Sequence, residues 1–142
     1  MKKCLICSNE FKPFVDFGRM PIANAFSSKK DLENEYFFSM QVGFCENCNM
    51  VQLLEQPDRE KMFHDSYAFF SSTSNYMIDH FKKFANSVSS LQNLDEKSFV
   101  VEIGSNDGIM LQNFLSDNIP CLGVEPSKNV AYVAMEKGIE VT

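Results

Sequence analysis

The sequence predicts an α/β protein: a small cysteine-stapled module, a connecting segment with one helix, and the first half of a parallel α/β sheet. Three observations carry this expectation. Two Cys-x-x-Cys pairs, Cys4/Cys7 and Cys45/Cys48, bracket a stretch with no sustained helical period. Between Asn75 and Leu91, the apolar residues Met77, Phe81, Phe84, Val88 and Leu91 step by four, three, four and three, which is one face of a helix. Beyond residue 98, short apolar runs alternate with helix-forming segments, the order of parallel strands joined by crossover helices.

Residues 1–60 read as a zinc-binding module of short strands and turns, 61–95 as a connecting segment with its helix, and 96–142 as the N-terminal half of a ligand-binding α/β domain. In the last segment Phe99–Ile103 is predicted as a buried strand, Asp107 to about Ser116 as a helix, and Cys121–Glu125 as a second strand. Ser127 caps a helix reaching Lys137, Gly138 ends it, and Ile139–Val141 begins a third strand.

Each cysteine pair places two thiolates within one tight turn, and two such turns can close a tetrahedron around Zn²⁺. The pairs are separated by 37 residues (8–44), which are expected to form an excursion that returns. Four sulfurs leave no coordination position for water, so the expected site is structural and contributes folding free energy. The alternative is a set of redox or merely buried thiols. Cys121, inside an apolar run, reads as a small buried hydrophobe.

The strand ending at Ile103 runs into Gly104-Ser105-Asn106-Asp107-Gly108 and then a helix, which predicts free main-chain N–H groups at a positive helix end. A pyrophosphate site would want glycine where Asn106 stands. Glu102-x-Gly104-x-x-x-Gly108 instead suits a ligand without pyrophosphate, and Glu125 at the end of the next strand is placed to accept from ribose hydroxyls. S-adenosylmethionine meets both requirements; the plain reading of the same turn is a tight connection.

Composition narrows the partners. With 44% apolar and 23% charged residues the chain is a folding sequence, and a net charge of −6 disfavours a nucleic-acid module. No run approaches the ~20 apolar residues of a membrane span, and Met1-Lys2-Lys3-Cys4 is not followed by a secretory apolar core. The chain is therefore expected to be cytoplasmic, with no membrane or nucleic-acid partner.

The motifs together resemble the sugar C-methyltransferases that act on nucleotide-linked deoxy-keto-sugars. The matching residues are Cys4-x-x-Cys7, Phe17-Gly18 through Pro21-Ile22-Ala23-Asn24, Cys45-x-x-Cys48-x-x-Val51-Gln52-Leu53 and Tyr67-x-Phe69-x-Ser71-Ser72-x-Ser74-x-x-Met77-x-x-His80. Val101 to Gly108 and Gly123-Val124-Glu125-Pro126-Ser127 complete the set. The resemblance implies Cys4, Cys7, Cys45 and Cys48 as ligands of a structural zinc and a Rossmann-like S-adenosylmethionine domain. In that domain Gly104, Asn106, Asp107 and Gly108, with Glu102, would shape the methionine end of the cofactor site and Glu125 would hold the ribose. Tyr67 matches a tyrosine near the reacting centre, or else is an aromatic packing residue; Ser71, Ser72 and Ser74 would bond cofactor or substrate, or cap a helix. The family's His-rich catalytic motif is absent, so the resemblance implies a truncated N-terminal portion. Such a portion would be inactive alone, with an open sheet edge through which copies can self-associate. The substrate class implied is a nucleotide-sugar or other small keto-compound; the alternative function is a non-catalytic zinc-binding interaction or scaffold module.

Overall fold

The computed structural model describes residues 2–23 and 26–142; Asn24 of the Pro21–Asn24 motif lies outside them. The chain divides into two compact units, Met1–Met62 and Phe63–Thr142.

The first unit is an antiparallel sheet of β1 (Lys12–Pro21), β2 (Phe37–Phe44) and β3 (Val51–Leu53), in that order, followed by the single helical turn α1 (Arg59–Met62). β1 runs against β2 from Lys12↔Phe44 to Pro21↔Phe37, with register shifts after Pro13 and Asp16. Asp16 Oδ1 accepts from the Gly18 N–H at 2.7 Å, and Gly18 has φ +74°, so the irregularity is an Asx-type turn completed by glycine. The core is small: Cys4, Phe11 and Cys45 are buried, with Cys7, Cys48 and Leu54 packed around them. Gly43 makes room for it, since a Cβ there would stand 2.5 Å from the Phe11 ring.

The second unit opens with α2 (Asn75–Gln92) and continues through β4 (Val100–Ile103), α3 (Leu111–Ser116), β5 (Cys121–Val124), α4 (Lys128–Glu136) and β6 (Glu140–Val141). The three strands are parallel in the order β4-β5-β6, paired Val100↔Cys121 to Ile103↔Val124 and then Leu122↔Glu140. Ser74 caps α2 by accepting from the Met77 N–H at 3.3 Å, and Asn93 ends it in the left-handed region at φ 52°. One core, built on Ala85, Leu111, Phe114, Ile119, Cys121, Ala134 and Ile139, joins α2, α3, α4 and the sheet.

Two details differ from the sequence reading. The packed face of α2 centres on Ala85, with Met77, Phe81 and Val88 beside it, whereas Phe84 and Leu91 are 50% and 75% exposed. A small residue at the centre admits the neighbouring helix, and that rotates the contact stripe away from the bulkiest side chains. α3 begins at Leu111 and not at Asp107 because Gly108 takes φ +75°, which is a turn and not a helix.

Val101 and Ile103 alternate with Val100 and Glu102 and stand on the bare face of the sheet, 51% and 87% exposed. Among the described residues β4 pairs with β5 alone and so forms an edge. No helix among the described residues is long and apolar enough to cross a membrane.

Candidate functional site

The two Cys-x-x-Cys segments fold into matching knuckles. Cys4 N–H donates to Asn9 O at 2.8 Å and Ser8 N–H to Cys4 O at 2.9 Å; Cys45 N–H donates to Met50 O at 2.9 Å and Asn49 N–H to Cys45 O at 2.8 Å. Ser8 and Asn49 close the knuckles at φ 60° and 59°. The turns bring all four Sγ atoms within 4.8 Å of one another, with Cys4 and Cys48 at 3.6 Å and Cys7 and Cys45 at 3.5 Å. Four sulfurs bound tetrahedrally at a Zn–S distance of about 2.3 Å would be separated by about 3.8 Å, so the set fits Zn²⁺ with little movement. The separations far exceed a bonded S–S length of about 2.05 Å, and all five cysteines are free.

The knuckles favour thiolate. The Asn9 side chain and main chain pull Cys7 down to about 6, and the Cys7 N–H leads the donors that lower Cys4. At Cys48 the Met50 N–H acts in the same sense, but burial and the three neighbouring thiols outweigh it and push the group up to about 12. Four adjacent thiolates repel one another, and a divalent cation among them removes that penalty. Gln52 on β3 was not singled out as a site residue in the sequence. It is buried, donates Nε2 to Cys4 Sγ at 3.0 Å and accepts from the Leu5 N–H at 3.1 Å, so it orients the first knuckle.

At the glycine-rich turn the expectation of free N–H groups is corrected. Gly104 and Ser105 N–H both donate to Val124 O, Asn106 N–H to Glu125 Oε2 at 2.9 Å, and Gly108 N–H to Ser105 O at 3.0 Å. The turn folds back on the end of β5, which consumes these donors. Glu125 Oε1 accepts from the Ser127 N–H at 2.8 Å, so this carboxylate ties together the loops after β4 and β5; each oxygen keeps a further lone pair for a ligand. Asn106 and Asp107 point their side chains at residues 69–72: Asn106 Oδ1 accepts from Ser71 N–H and Asp107 Oδ2 from Ser72 N–H, both at 2.9 Å.

The two glycines of the turn have different reasons. A Cβ on Gly108 would collide with the Ile139 side chain and stand 3.1 Å from Ala134 Cβ, so that glycine serves packing. Gly104, at φ +77°, has nothing within 4 Å of such an atom and leaves an open approach to the main chain. Around Glu125, a cleft of about 290 Å³ is lined by Glu125, Lys128, Ala131, Tyr132, Met135, Val141 and Thr142. Ser105 Oγ, Asp107 Oδ1 and Ser127 Oγ are sealed from solvent without a protein partner. The open glycine, the cleft and the residual acceptor capacity of Glu125 fit a nucleoside-type ligand without phosphate.

Tyr67 is half-buried, its ring 5.9 Å from that of Phe63 and its carbonyl accepting from Asn129 Nδ2 at 2.7 Å. His64 Nδ1 accepts from the Ser66 N–H, and His80 is exposed with its ring edge-on to Phe81.

Glu102 shares the packed face of β4 with Val100, and its Oε2 is sealed without a partner. Burial pushes its carboxyl up to about 7 and, with the Glu102 charge, raises the buried Cys121 thiol. Between the ordinary carboxyl range near ~4.3 and this raised value, the folded chain holds a proton that the unfolded chain has lost. Stability of the second unit therefore falls as pH rises through that window, by about 1–2 kcal/mol after allowance for partial solvent screening. Urea midpoints at pH 5 and pH 8 are expected to show this decline in the wild type and to coincide in Glu102→Gln; an undiminished decline in the variant would assign it elsewhere.

Residues 4–63 match the family described as "Putative zinc binding domain". Over 140 residues the chain is 29% identical to the C-methyltransferase NovU of Streptomyces niveus, an alignment that covers 97% of this chain and 33% of that protein. The chain thus spans about a third of the length of the curated relative it matches.

Proposed function

We propose, from the match of residues 4–63 to that zinc-binding-domain family and the similarity of nearly the whole chain to a C-methyltransferase, that it is the N-terminal portion of an S-adenosylmethionine-dependent enzyme. That enzyme would methylate carbon on a nucleotide-linked keto-deoxysugar or similar keto-substrate. The observation that carries the reading is the cleft lined by Glu125 and Thr142, the residues that follow β5 and β6 at the carboxyl ends of parallel strands. In this reading the strands are the first half of a Rossmann-like cofactor domain. Cys4, Cys7, Cys45 and Cys48 hold a structural zinc with no open coordination position.

Bound S-adenosylmethionine would supply an electrophilic methyl group to a carbon made nucleophilic by loss of a proton next to a ketone. Toward that chemistry, this chain's residues bind and orient. Glu125 accepts from the ribose hydroxyls with the lone pairs its N–H partners leave free. Tyr132 and Met135 offer apolar surface to the base, and Gly104 lets the methionine end approach the main chain. Tyr67 is the candidate nearest the reacting centre. The proton-abstracting base belongs to the remaining part of the enzyme, so the chain alone does not transfer methyl. Free cysteines in such numbers suit a reducing, cytoplasmic setting.

Titration calorimetry with S-adenosylhomocysteine tests this reading. Binding is expected, about 100-fold weaker than to a complete cofactor domain. Glu125→Ala should weaken it by a further tenfold or so, the share of a charged hydrogen bond. Equal heats for the two proteins would remove Glu125 from the site. An absence of binding to the wild type would favour a non-catalytic zinc-binding interaction module.

A further inference from the structure

Residues 65–73 form no strand, and their one regular feature is the short 3₁₀ turn Ser71–Thr73. Main chain without secondary structure must find other partners for its polar groups. Here side chains from beyond β4 and β5 provide them. Asn129 Nδ2 donates to Tyr67 O at 2.7 Å, Asn106 Nδ2 to Phe69 O at 3.0 Å, and the Ser71 and Ser72 N–H groups are taken up by Asn106 and Asp107. These loops follow the carboxyl ends of parallel strands, the edge where open α/β sheets bind ligands. The segment is therefore a strap that starts at that edge, where Asn129 opens α4, and follows α4 toward Lys137 at its end, and it carries Tyr67.

Lys137 completes the fastening from a third direction. At the C-terminal end of α4, it donates Nζ to Asp107 O at 2.6 Å and to Ser72 Oγ at 3.2 Å, so one ammonium joins the glycine-rich turn to the strap. Lys128 and Asp65 also meet, at 3.4 Å, but both side chains are 69% exposed and such a pair holds little. Asn106 and Asp107 belong to the turn itself. Asn129 and Lys137 stand outside the turn and can be altered without rebuilding it.

We propose that Asn129 and Lys137 are positioning residues that clamp the strap, with Tyr67, alongside α4 and thereby hold the glycine-rich turn in the form that receives the cofactor. The ligand part of this proposal rests on the reading of that edge as an S-adenosylmethionine site; the clamp itself does not. Lys137→Met and Asn129→Asp remove the donors at nearly constant size, and Lys137→Arg keeps a cation able to donate twice.

Hydrogen exchange and calorimetry with S-adenosylhomocysteine, on the zinc-loaded chain, read the two parts separately. Exchange of the Ser71 and Ser72 amides is expected to quicken about tenfold in Lys137→Met and in Asn129→Asp. Affinity is expected to fall by a similar factor, at unchanged zinc content and thermal midpoint, with Lys137→Arg close to wild type. Unchanged exchange in both donor-less variants overturns the clamp, and faster exchange with unchanged affinity overturns its role in holding the turn for the cofactor. If the wild type binds no S-adenosylhomocysteine, the cofactor reading falls, and the clamp then stands or falls on exchange alone.

Discussion

Cys45→Ser is expected to unfold the first unit while leaving the second intact. Cys45 is fully buried, and among the described residues the unit's other buried apolar side chains are Cys4, Phe11, Ile22 and Phe38. Leu5, Ile6, Phe14 and Phe17 are 67%, 68%, 60% and 58% exposed, so much of the unit's apolar surface contributes no burial. Ordering a backbone costs about 1–2 kcal/mol per residue, which a core of this size does not offset. A structural zinc supplies an apparent ~10–16 kcal/mol, enough to decide whether the unit folds. Serine is a poor ligand for the metal and leaves three thiolates around a vacancy. Elemental analysis should fall from one zinc per chain to nearly none, and exchange protection should vanish from β1 to β3 while persisting in β4 and β5. Lost zinc together with retained protection in β2 would show that the unit folds on its apolar contacts.

The second large effect separates two glycines that look alike in sequence. Gly108→Ala forces a side chain into the left-handed region, at about 1–2 kcal/mol, and drives its Cβ into Ile139 and Ala134, at about 1–3 kcal/mol more. Against the roughly 4–12 kcal/mol that hold a domain of this size, the sum should remove a large share of the second unit's stability. Gly104→Ala has the same backbone penalty and open space in place of a collision, so only the first contribution applies. Urea unfolding is expected to show a loss for Gly108→Ala roughly twice that for Gly104→Ala. In the proposed reading, the smaller lesion should be the one that chiefly weakens S-adenosylhomocysteine binding, because its methyl would fill the open space beside Gly104. Equal losses of stability would mean that the contact of Gly108 with α4 and the residue before β6 is not what selects glycine there.

Much of this architecture was legible in the sequence because it is local. Two Cys-x-x-Cys turns specify their own knuckles, and each needs only the other to complete a tetrahedron. Ser74 and Gly138 mark helix ends through a bond and a dihedral angle within one turn of the chain, whereas Ser127 stands at the start of α4 without the side-chain bond expected of a cap. The alternation of apolar runs with helical segments beyond residue 98 implied parallel strands before any pairing was known. The order of strands β4, β5 and β6 followed from the same pattern.

Other features were decided only by the tertiary structure, and each depends on groups distant in sequence but adjacent in space. The buried face of α2 turns on Ala85 because a neighbouring helix comes close there, which the spacing of large apolar residues does not reveal. Gln52 meets Cys4 across 47 intervening residues, only because β3 returns beside the first knuckle. Glu125, read as a free acceptor, spends part of its capacity on the Asn106 and Ser127 N–H groups, and Asn106 and Asp107 turn from the ligand side toward Ser71 and Ser72. The sequence by itself determined the residue types, the local turns and the order of the elements, since those arise from short-range sterics and hydrogen bonding. Which polar atoms remain free for a ligand was left to the fold, because a donor or acceptor is committed only when the chain brings its partner within about 3 Å.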